Sequence, residues 1–375
     1  MTAAGRPRNP DALVLTPDFA PDPGGIQVLM RRLVEELDQV DPTVVTLASP
    51  RAAEFDAGFE AEVRRVRYRG ARRRRVAIAR LNAAGIAAAL GSRPGVVISG
   101  HAVTAPACTA IRRATGAGTL QYVHGDEFRT RPRLLRFAVR RADAVIAVSA
   151  HAKAMTLDAG GSPERVHLIH PGVDVPPPRQ RTRAERPTVV TVARLSERYK
   201  GHDQMLRSLP LIRDRVPEVR WAVIGDGPLR SELEAMAGSL QVADAVEFLG
   251  ELPDTERDAL LDSAHAFAMP SRLPAGGVGG EGFGIAYLEA GAHGLPVVAG
   301  AVGGALDAVV DDETGLLVDP GDHVALADAI AGLLLDPQRA AALGEAGSRR
   351  ARELSWRRHA RLVENVLRDI GEQRR

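Results

Sequence analysis

Short apolar runs, each followed by a loop and then by apolar residues at helical spacing, recur along the whole chain. In the first half, Ala12–Leu15, Val44–Leu47, Val63–Val66, Val96–Ser99, the run leading to His124, Ala144–Val148 and Val166–Ile169 read as buried parallel strands. Helices are predicted after Gly24 and Gly25, beyond residue 75 with Val76, Ile78, Ala79 and Leu81 facing inward, after Gly100, over Arg133–Arg141, and after Ser149, a residue suited to N-capping. The segment between Leu47 and Val63 reads as a polar loop. A second series follows, with strands at Thr188–Ala193, Trp221–Ile224, Ala245–Phe248, Ala266–Pro270, Val297 and Val298, and Gly315–Val318. Its helices are predicted after Gly201 and over Leu229–Ala237, Glu256–Ser263, Ile285–His293, Val324–Leu334, Arg339–Leu354 and Trp356–Ile370. The run at 171–187 is rich in proline and charge and has no apolar period. The alternation predicts an α/β protein of two Rossmann-like, doubly wound parallel-sheet domains with a cleft between them. They span 1–173 and 188–355, with a linker at 174–187.

Composition narrows the partners. The chain is 45% hydrophobic and 26% charged, with a net charge of +2, too small for a general nucleic-acid binder. A sequence pI near 9.0 leaves room for a local basic face, and Arg64–Arg80 is the most basic stretch. Two readings of that stretch stand: a solvated arginine face, or a peripheral contact with anionic lipid headgroups at about 1 kcal/mol per basic residue. The single cysteine, Cys108, leaves no internal disulfide framework and fits a reducing compartment. The first residues carry no signal-peptide core and no apolar run approaches a membrane span. The expected place is the cytoplasm, with the inner face of the membrane as the site of any lipid contact.

The candidate chemistry centres on EGFGIAYLEAGAHGLPVV at 281–298. Were the helix to begin directly after Glu281, Glu281 and Glu289 would be separated by about 12 Å along its axis and about 80° around it. That is too far for the carboxyl pair of a retaining glycosidase, about 5 Å apart. It suits one ligand with two polar ends, and two solvated helix acids are the plain alternative. Arg194 and Lys200 follow the first strand of the second series, and Gly225 opens GDGP after the next. Open α/β sheets gather ligands at these carboxyl ends. An arginine binding bidentately and a lysine acting as a point charge can clamp a diphosphate. No paired-aspartate metal motif lies beside them, so these cations and the helix dipole behind Gly282, Phe283 and Gly284 would neutralise the charge without a metal. In the first half, Gly24 and Gly25 allow close backbone approach at a helix start. His124 closes a parallel strand and would point into the crevice, or else serve only the core.

Together PGG at 23–25, VHG at 123–125, ARLSERYKG at 193–201, GDGP at 225–228 and EGFGIAYLEAGAHGLPVVA resemble the retaining glycosyltransferases of family 4, which have the GT-B fold. The resemblance runs in order over nearly the whole chain. GVGGEGFGIAYLEAGAHGLPVVAGAVGGALDAV is most similar to the phosphatidylinositol α-mannosyltransferases and related GDP-mannose-dependent enzymes. It implies that Arg194 and Lys200 bind the donor diphosphate, that Gly282–Gly284 offer N–H groups to sugar and phosphate, and that Glu281 holds a sugar hydroxyl near the reacting carbon. It further implies Glu289 on the ribose, main chain near Gly250 and Leu252 on the base, Gly25 at the phosphates, and His124 facing the sugar from the acceptor side. The helix from Trp356 (356–375) would return to the first domain. The implied reaction moves a hexose, first of all α-mannose from GDP-mannose, onto a hydroxyl acceptor that includes lipid-linked ones, with no cofactor beyond the donor. A UDP-hexose transferase with a soluble acceptor, a nucleotide-sugar epimerase and a non-catalytic partner subunit are the alternatives.

Overall fold

The computed structural model describes residues 11–68, 74–177 and 181–374. It divides into two compact units, 1–172 with 356–375, and 173–355.

The first unit runs β1 (Asp11–Leu15), α1 (Gly25–Glu36), β2 (Asp41–Leu47), α2 (Ala52–Ala57), β3 (Glu62–Val66), α3 (Arg74–Ser92), β4 (Val96–Ser99), α4 (Ala105–Thr115), β5 (Gly118–Val123), α5 (Glu127–Thr130), α6 (Pro132–Arg141), β6 (Ala144–Ala147), α7 (Ala150–Asp158) and β7 (Val166–Leu168). All seven strands are parallel, in the order β3-β2-β1-β4-β5-β6-β7. The order reverses between β1 and β4, which fixes where this sheet opens a crevice. Ser149 caps α7 by accepting from Ala152 N at 3.0 Å, as its position predicts.

Three local features differ from the sequence reading. The polar loop before β3 contains α2, and α5 precedes α6. In α3 the inward stripe is Ala77, Leu81, Gly85, Ala88 and Ala89. Val76 is instead 50% exposed and Ala79 is exposed. Small residues set this register, because a Cβ on Gly85 would stand 2.8 Å from the Leu15 methyl carbons of β1. The arginine-rich stretch is not one continuous face either. Arg65 is spent inside the fold, on Asp56 at 2.8 Å and on the Ala20 carbonyl at 2.6 Å, whereas Arg74, Arg75 and Arg80 are exposed. Residues 69–73 lie outside the described ones.

The second unit runs β8 (Thr188–Val192), α8 (His202–Arg215), β9 (Arg220–Ile224), α9 (Arg230–Ser239), β10 (Val246–Gly250), α10 (Asp254–Ser263), β11 (Ala266–Met269), α11 (Ile285–Ala292), β12 (Val297–Gly300), α12 (Ala305–Ala308), β13 (Gly315–Val318), α13 (His323–Leu335) and α14 (Pro337–Glu353). Its six parallel strands are ordered β10-β9-β8-β11-β12-β13, with the reversal between β8 and β11. Trp221, fully buried on β9, anchors a core with Val189, Met205, Leu206, Ile212 and Ile330. Of the predicted linker, 178–180 lie outside the described residues. Further on, Ala184 N donates to Ser263 O at 2.9 Å, so the chain is already bound to this unit there.

The last helix, α15 (Trp356–Glu372), belongs to the first unit and packs on α1 and β5. Its buried Glu364 accepts from Asp38 N at 2.7 Å and Gln39 N at 2.6 Å, just past α1. Its His359 sits between the Tyr122 hydroxyl (3.1 Å) and the His170 carbonyl (2.8 Å).

Burial pushes His359 down to about 4, and burial, then the nearby Lys200 charge, pushes His202 of the second unit to about 4 as well. Both rings fold neutral, so the unfolded chain binds more protons below the ordinary 6.5, and stability must rise with pH between about 4 and 6.5. Each ring accounts for about 3 kcal/mol of stability gained across that window. Melting temperature is therefore expected to fall steadily from pH 6.5 toward pH 4, and less steeply in His359→Gln. A flat profile across that window would refute the assignment.

Candidate active site

The best-defined constellation lies in the second unit, at the reversal between β8 and β11. The loop after β8 carries Arg194, Glu197, Lys200 and Gly201, and the loop after β11 carries Ser271 through Gly284. These loops touch at fixed points. Arg272 N donates to Tyr199 O at 2.8 Å, and Arg272 grips Asp203 of α8 through two bonds of 2.8 and 3.0 Å. Gly201 has φ +82°, and a Cβ there would stand 2.2 Å from the Pro270 carbonyl. Only glycine lets the two loops approach so closely.

Across this contact the Lys200 ammonium donates to the Glu281 carboxylate, Nζ to Oε2, at 2.5 Å, with the side chains 15% and 13% exposed. Burial alone would depress the lysine pKa, but Glu281 outweighs it and the ammonium is held above its ordinary value. Lys200 is thus cationic throughout the neutral range. Glu281 does not adjoin the helix. α11 begins at Ile285, because Gly284, its N-cap, takes φ 94° and breaks the helical path. The separation from Glu289 inferred for an uninterrupted helix therefore does not apply. A Cβ on Gly284 would stand 2.3 Å from the Tyr287 ring, whose hydroxyl donates to Met269 O at 2.7 Å and ties α11 to the end of β11. From the other side Gly304 N donates to Glu281 O at 3.0 Å, and a Cβ on Gly304 would lie 2.3 Å from Gly282 O. The first turn of α11 has neither a side-chain cap nor an acidic residue, so no side chain of its own offsets the positive end of the helix dipole. Phe283 is buried, so that residue offers main chain only.

Arg194 is placed differently. Its side chain is 56% exposed and meets Glu197 at 3.4 Å, whose other oxygen accepts from Ser196 at 2.5 Å. The two cations share one loop but rest on separate carboxylates. Glu289, half-buried in the middle of α11, has its pKa raised by burial, with Arg257 of α10 pulling it back. Gly225 and Gly250 join the loops after β9 and β10, Gly225 N donating to Gly250 O at 2.8 Å. A Cβ on Gly225, φ +132°, would stand 2.1 Å from the Ala193 carbonyl. Leu252, just beyond, is half-buried.

The first unit has its own cluster at the β1/β4 reversal. Gly24, φ 145°, caps α1 without a side-chain bond, and Gly25 opens the helix. His124 directly follows β5, is 9% exposed, and donates through Nε2 to the Gly100 carbonyl at 2.8 Å. Burial lowers its pKa against the partial opposition of Glu127, so the ring is neutral and its Nδ1 is left as the acceptor. Sequence reasoning missed the group that builds this corner. Glu127, 3% exposed, accepts from Ala102 N and His124 N, both at 2.9 Å, and stands 3.4 Å from His101 Nδ1. Burial would raise its pKa, but His101, His124 and the two N–H donors outweigh it and hold the carboxyl below its ordinary value. The only available signal was an acid three residues after the strand-end histidine. Glu197 was passed over in the same way, three residues after Arg194.

Known families divide the chain at nearly the same place. Residues 23–176 match the model "Glycosyltransferase Family 4" and 177–350 the model "Glycosyl transferases group 1". A GDP-mannose-dependent alpha-(1-6)-phosphatidylinositol monomannoside mannosyltransferase of Mycolicibacterium smegmatis is 36% identical, over 94% of this chain and 97% of that protein. The chain is a family 4 glycosyltransferase. A second relative of this glycosyltransferase, from Corynebacterium glutamicum, acts on the monoacylated phosphatidylinositol monomannoside by its name and is 30% identical over 95% of the chain and 97% of its own length. Among solved structures, sucrose-phosphate synthase from Thermosynechococcus elongatus superposes with a TM-score of 0.81 at 22% identity, covering 97% of this chain and 99% of that one. The architecture is GT-B, as the motifs imply. Among the described residues of the glycosyltransferase no helix is long and apolar enough to cross a membrane.

Proposed function

We propose that this glycosyltransferase moves α-mannose from GDP-mannose to a hydroxyl of a lipid-linked acceptor, with retention and without a metal. The observation that carries a sugar-diphosphate donor is the half-buried Lys200–Glu281 pair close before the uncapped start of α11. The relatives' names supply the base, the sugar and the lipid. Lys200, Arg194 and the N–H groups of Gly282–Gly284 would take the diphosphate, turning Lys200 partly from Glu281 to phosphate. Glu281, released in part, would accept from a sugar hydroxyl beside the anomeric carbon. Glu289 would hold the ribose, main chain at Gly225, Gly250 and Leu252 the base end, and Gly24 and Gly25 the phosphates from the first unit. His124, neutral with Nδ1 free to accept, would receive a hydroxyl hydrogen of the sugar. The bond from the anomeric carbon to the diphosphate breaks as the acceptor oxygen bonds on the same face, and the acceptor proton passes to the departing phosphate oxygen. Positive charge at Lys200, Arg194 and the helix start stabilises that oxygen. The enzyme would work at the inner membrane face, touching it through the exposed arginines of the Arg64–Arg80 stretch, Arg74, Arg75 and Arg80 among them.

Ligand-induced melting shifts test the donor. A nucleotide at a hundred times its dissociation constant adds about 2.7 kcal/mol. GDP is expected to raise the melting temperature by several degrees and UDP or ADP by much less. Label from GDP-mannose should then enter the organic phase with a phosphatidylinositol mannoside. A dominant UDP shift would replace the donor, and donor turnover without acceptor would replace the reaction class.

A further inference from the structure

We infer that α6 is a second anionic-membrane contact of the first unit, separate from the Arg64–Arg80 stretch. This rests on the lipid-linked acceptor proposed above. Between Glu127 and Asp143 the chain has no acidic residue and six arginines, Arg129, Arg131, Arg133, Arg136, Arg140 and Arg141. All six are exposed. The inner stripe of α6 is Leu135, Ala138 and Val139, so at 100° per residue Arg133, Arg136, Arg140 and Arg141 share the opposite face around the half-buried Phe137. Arg129 pairs with Asp126 at 2.7 Å, and the Arg141 guanidinium lies 5.9 Å from the Phe137 ring centre. Among the described residues Arg131, Arg133, Arg136, Arg140 and Arg141 have no ion-pair partner.

A solvated structural face would normally mix signs, as α9 does with its Arg230–Glu234 pair. An unrelieved basic face with an aromatic ring at its centre matches a surface of negative headgroups over acyl chains. Its position fits as well. α6 follows β5 and α5 and so starts at the same sheet edge as His124, while α3 starts at that edge after β3. The turn Ala102–Thr104 packs against both helices, and α4 lies against both. Arg74 and Arg75 at the start of α3 and the arginines of α6 therefore flank the corner that holds the acceptor-side histidine. Two basic helices on either side of it would set the orientation of the unit on a bilayer, which one alone leaves free to roll.

The test is sedimentation of the full chain with vesicles of phosphatidylcholine alone or mixed with phosphatidylinositol, at low and high salt and without donor. Wild type is expected to bind the anionic vesicles at low salt only. R133Q/R136Q/R140Q should lower partitioning on the order of a hundredfold, from about 1 kcal/mol per basic residue, with an unchanged melting temperature. R74Q/R75Q/R80Q serves as the comparison and should lower partitioning separately. Equal binding of wild type and the α6 variant overturns the inference, as does equal binding to neutral vesicles. Capture by polyuridylate in place of vesicles also overturns it. Transfer to a deacylated, water-soluble acceptor keeps the two readings apart and should be unchanged in the α6 variant. A chain that binds vesicles through α6 but transfers no mannose would sink the transfer reading and leave this surface standing.

Discussion

Lys200→Ala is expected to lower kcat/KM with GDP-mannose by at least a hundredfold to a thousandfold, the scale seen when one preorganised donor to a developing negative charge is removed. It should also cost about 3 kcal/mol of stability, because Glu281 at 13% exposure keeps its carboxylate and loses the ammonium that neutralises it. The double variant Lys200→Ala/Glu281→Ala separates the two effects. Removing both charges should restore most of the stability and none of the turnover, a non-additive cycle expected of a direct contact. Denaturant titrations and steady-state kinetics on the three proteins decide the matter. A Lys200→Ala enzyme with normal turnover would end the diphosphate assignment, and a double variant no more stable than the single would end the claim that the pair is coupled.

Glu127→Ala is expected to be the most damaging change in the first unit, about 3 to 5 kcal/mol. It removes the acceptor for Ala102 N and His124 N together, both inside the fold and each 2.9 Å from the carboxylate, and leaves both N–H groups without it. Glu127→Gln keeps the shape and one acceptor, so it should fold with a smaller loss. If Glu127 positions His124, Glu127→Gln should depress turnover while leaving GDP affinity near wild type, since the nucleotide is assigned to the second unit. Calorimetric GDP binding beside transfer rates would show this. Parallel losses in both would make Glu127 a purely structural residue. The carboxyl is held below its ordinary value, so its stabilisation is complete above about pH 4.5 and fades as the solution becomes more acid. That puts its contribution at the acid end of the window in which His359 and His202 also act.

The periodicity of the chain carried the architecture well, because strand and helix periods depend on neighbours a few residues apart. Both sheets, their alternation and nearly every element from β1 to α14 follow from it. What it missed depends on backbone angles or on distant partners. The helix from Ile285 is legible, but the Glu281–Glu289 separation along an uninterrupted helix does not hold because Gly284 sits at φ 94°, and a glycine's sign of φ has no periodic signature. Lys200 and Glu281 are 81 residues apart, and His359 and Tyr122 are 237 apart. No local pattern announces either pairing. Lys200 stands out by its place after the first strand of the second series and as one of two lysines in the chain, whereas Glu127 escaped because a lone acid in a strand-end loop is ordinary. The register of α3 went astray at Val76 for a related reason. Its inner stripe is mostly alanine and glycine, so hydrophobicity pointed to the larger residue while close packing on Leu15 selected the smaller ones.

The place of α15 has a consequence for the order in which the protein is made. Synthesis delivers the strands of the first unit long before the helix that covers β5 and supplies His359 and Glu364. The second unit, 173–355, is contiguous and can close its core as soon as it has left the ribosome. The first unit has to wait, with the face around Gly118 and Tyr122 uncovered, until Ile370 arrives to fill it. In this chain the domain translated first is the one completed last, and a nascent chain stalled anywhere before α15 exposes the apolar surface of an unfinished sheet.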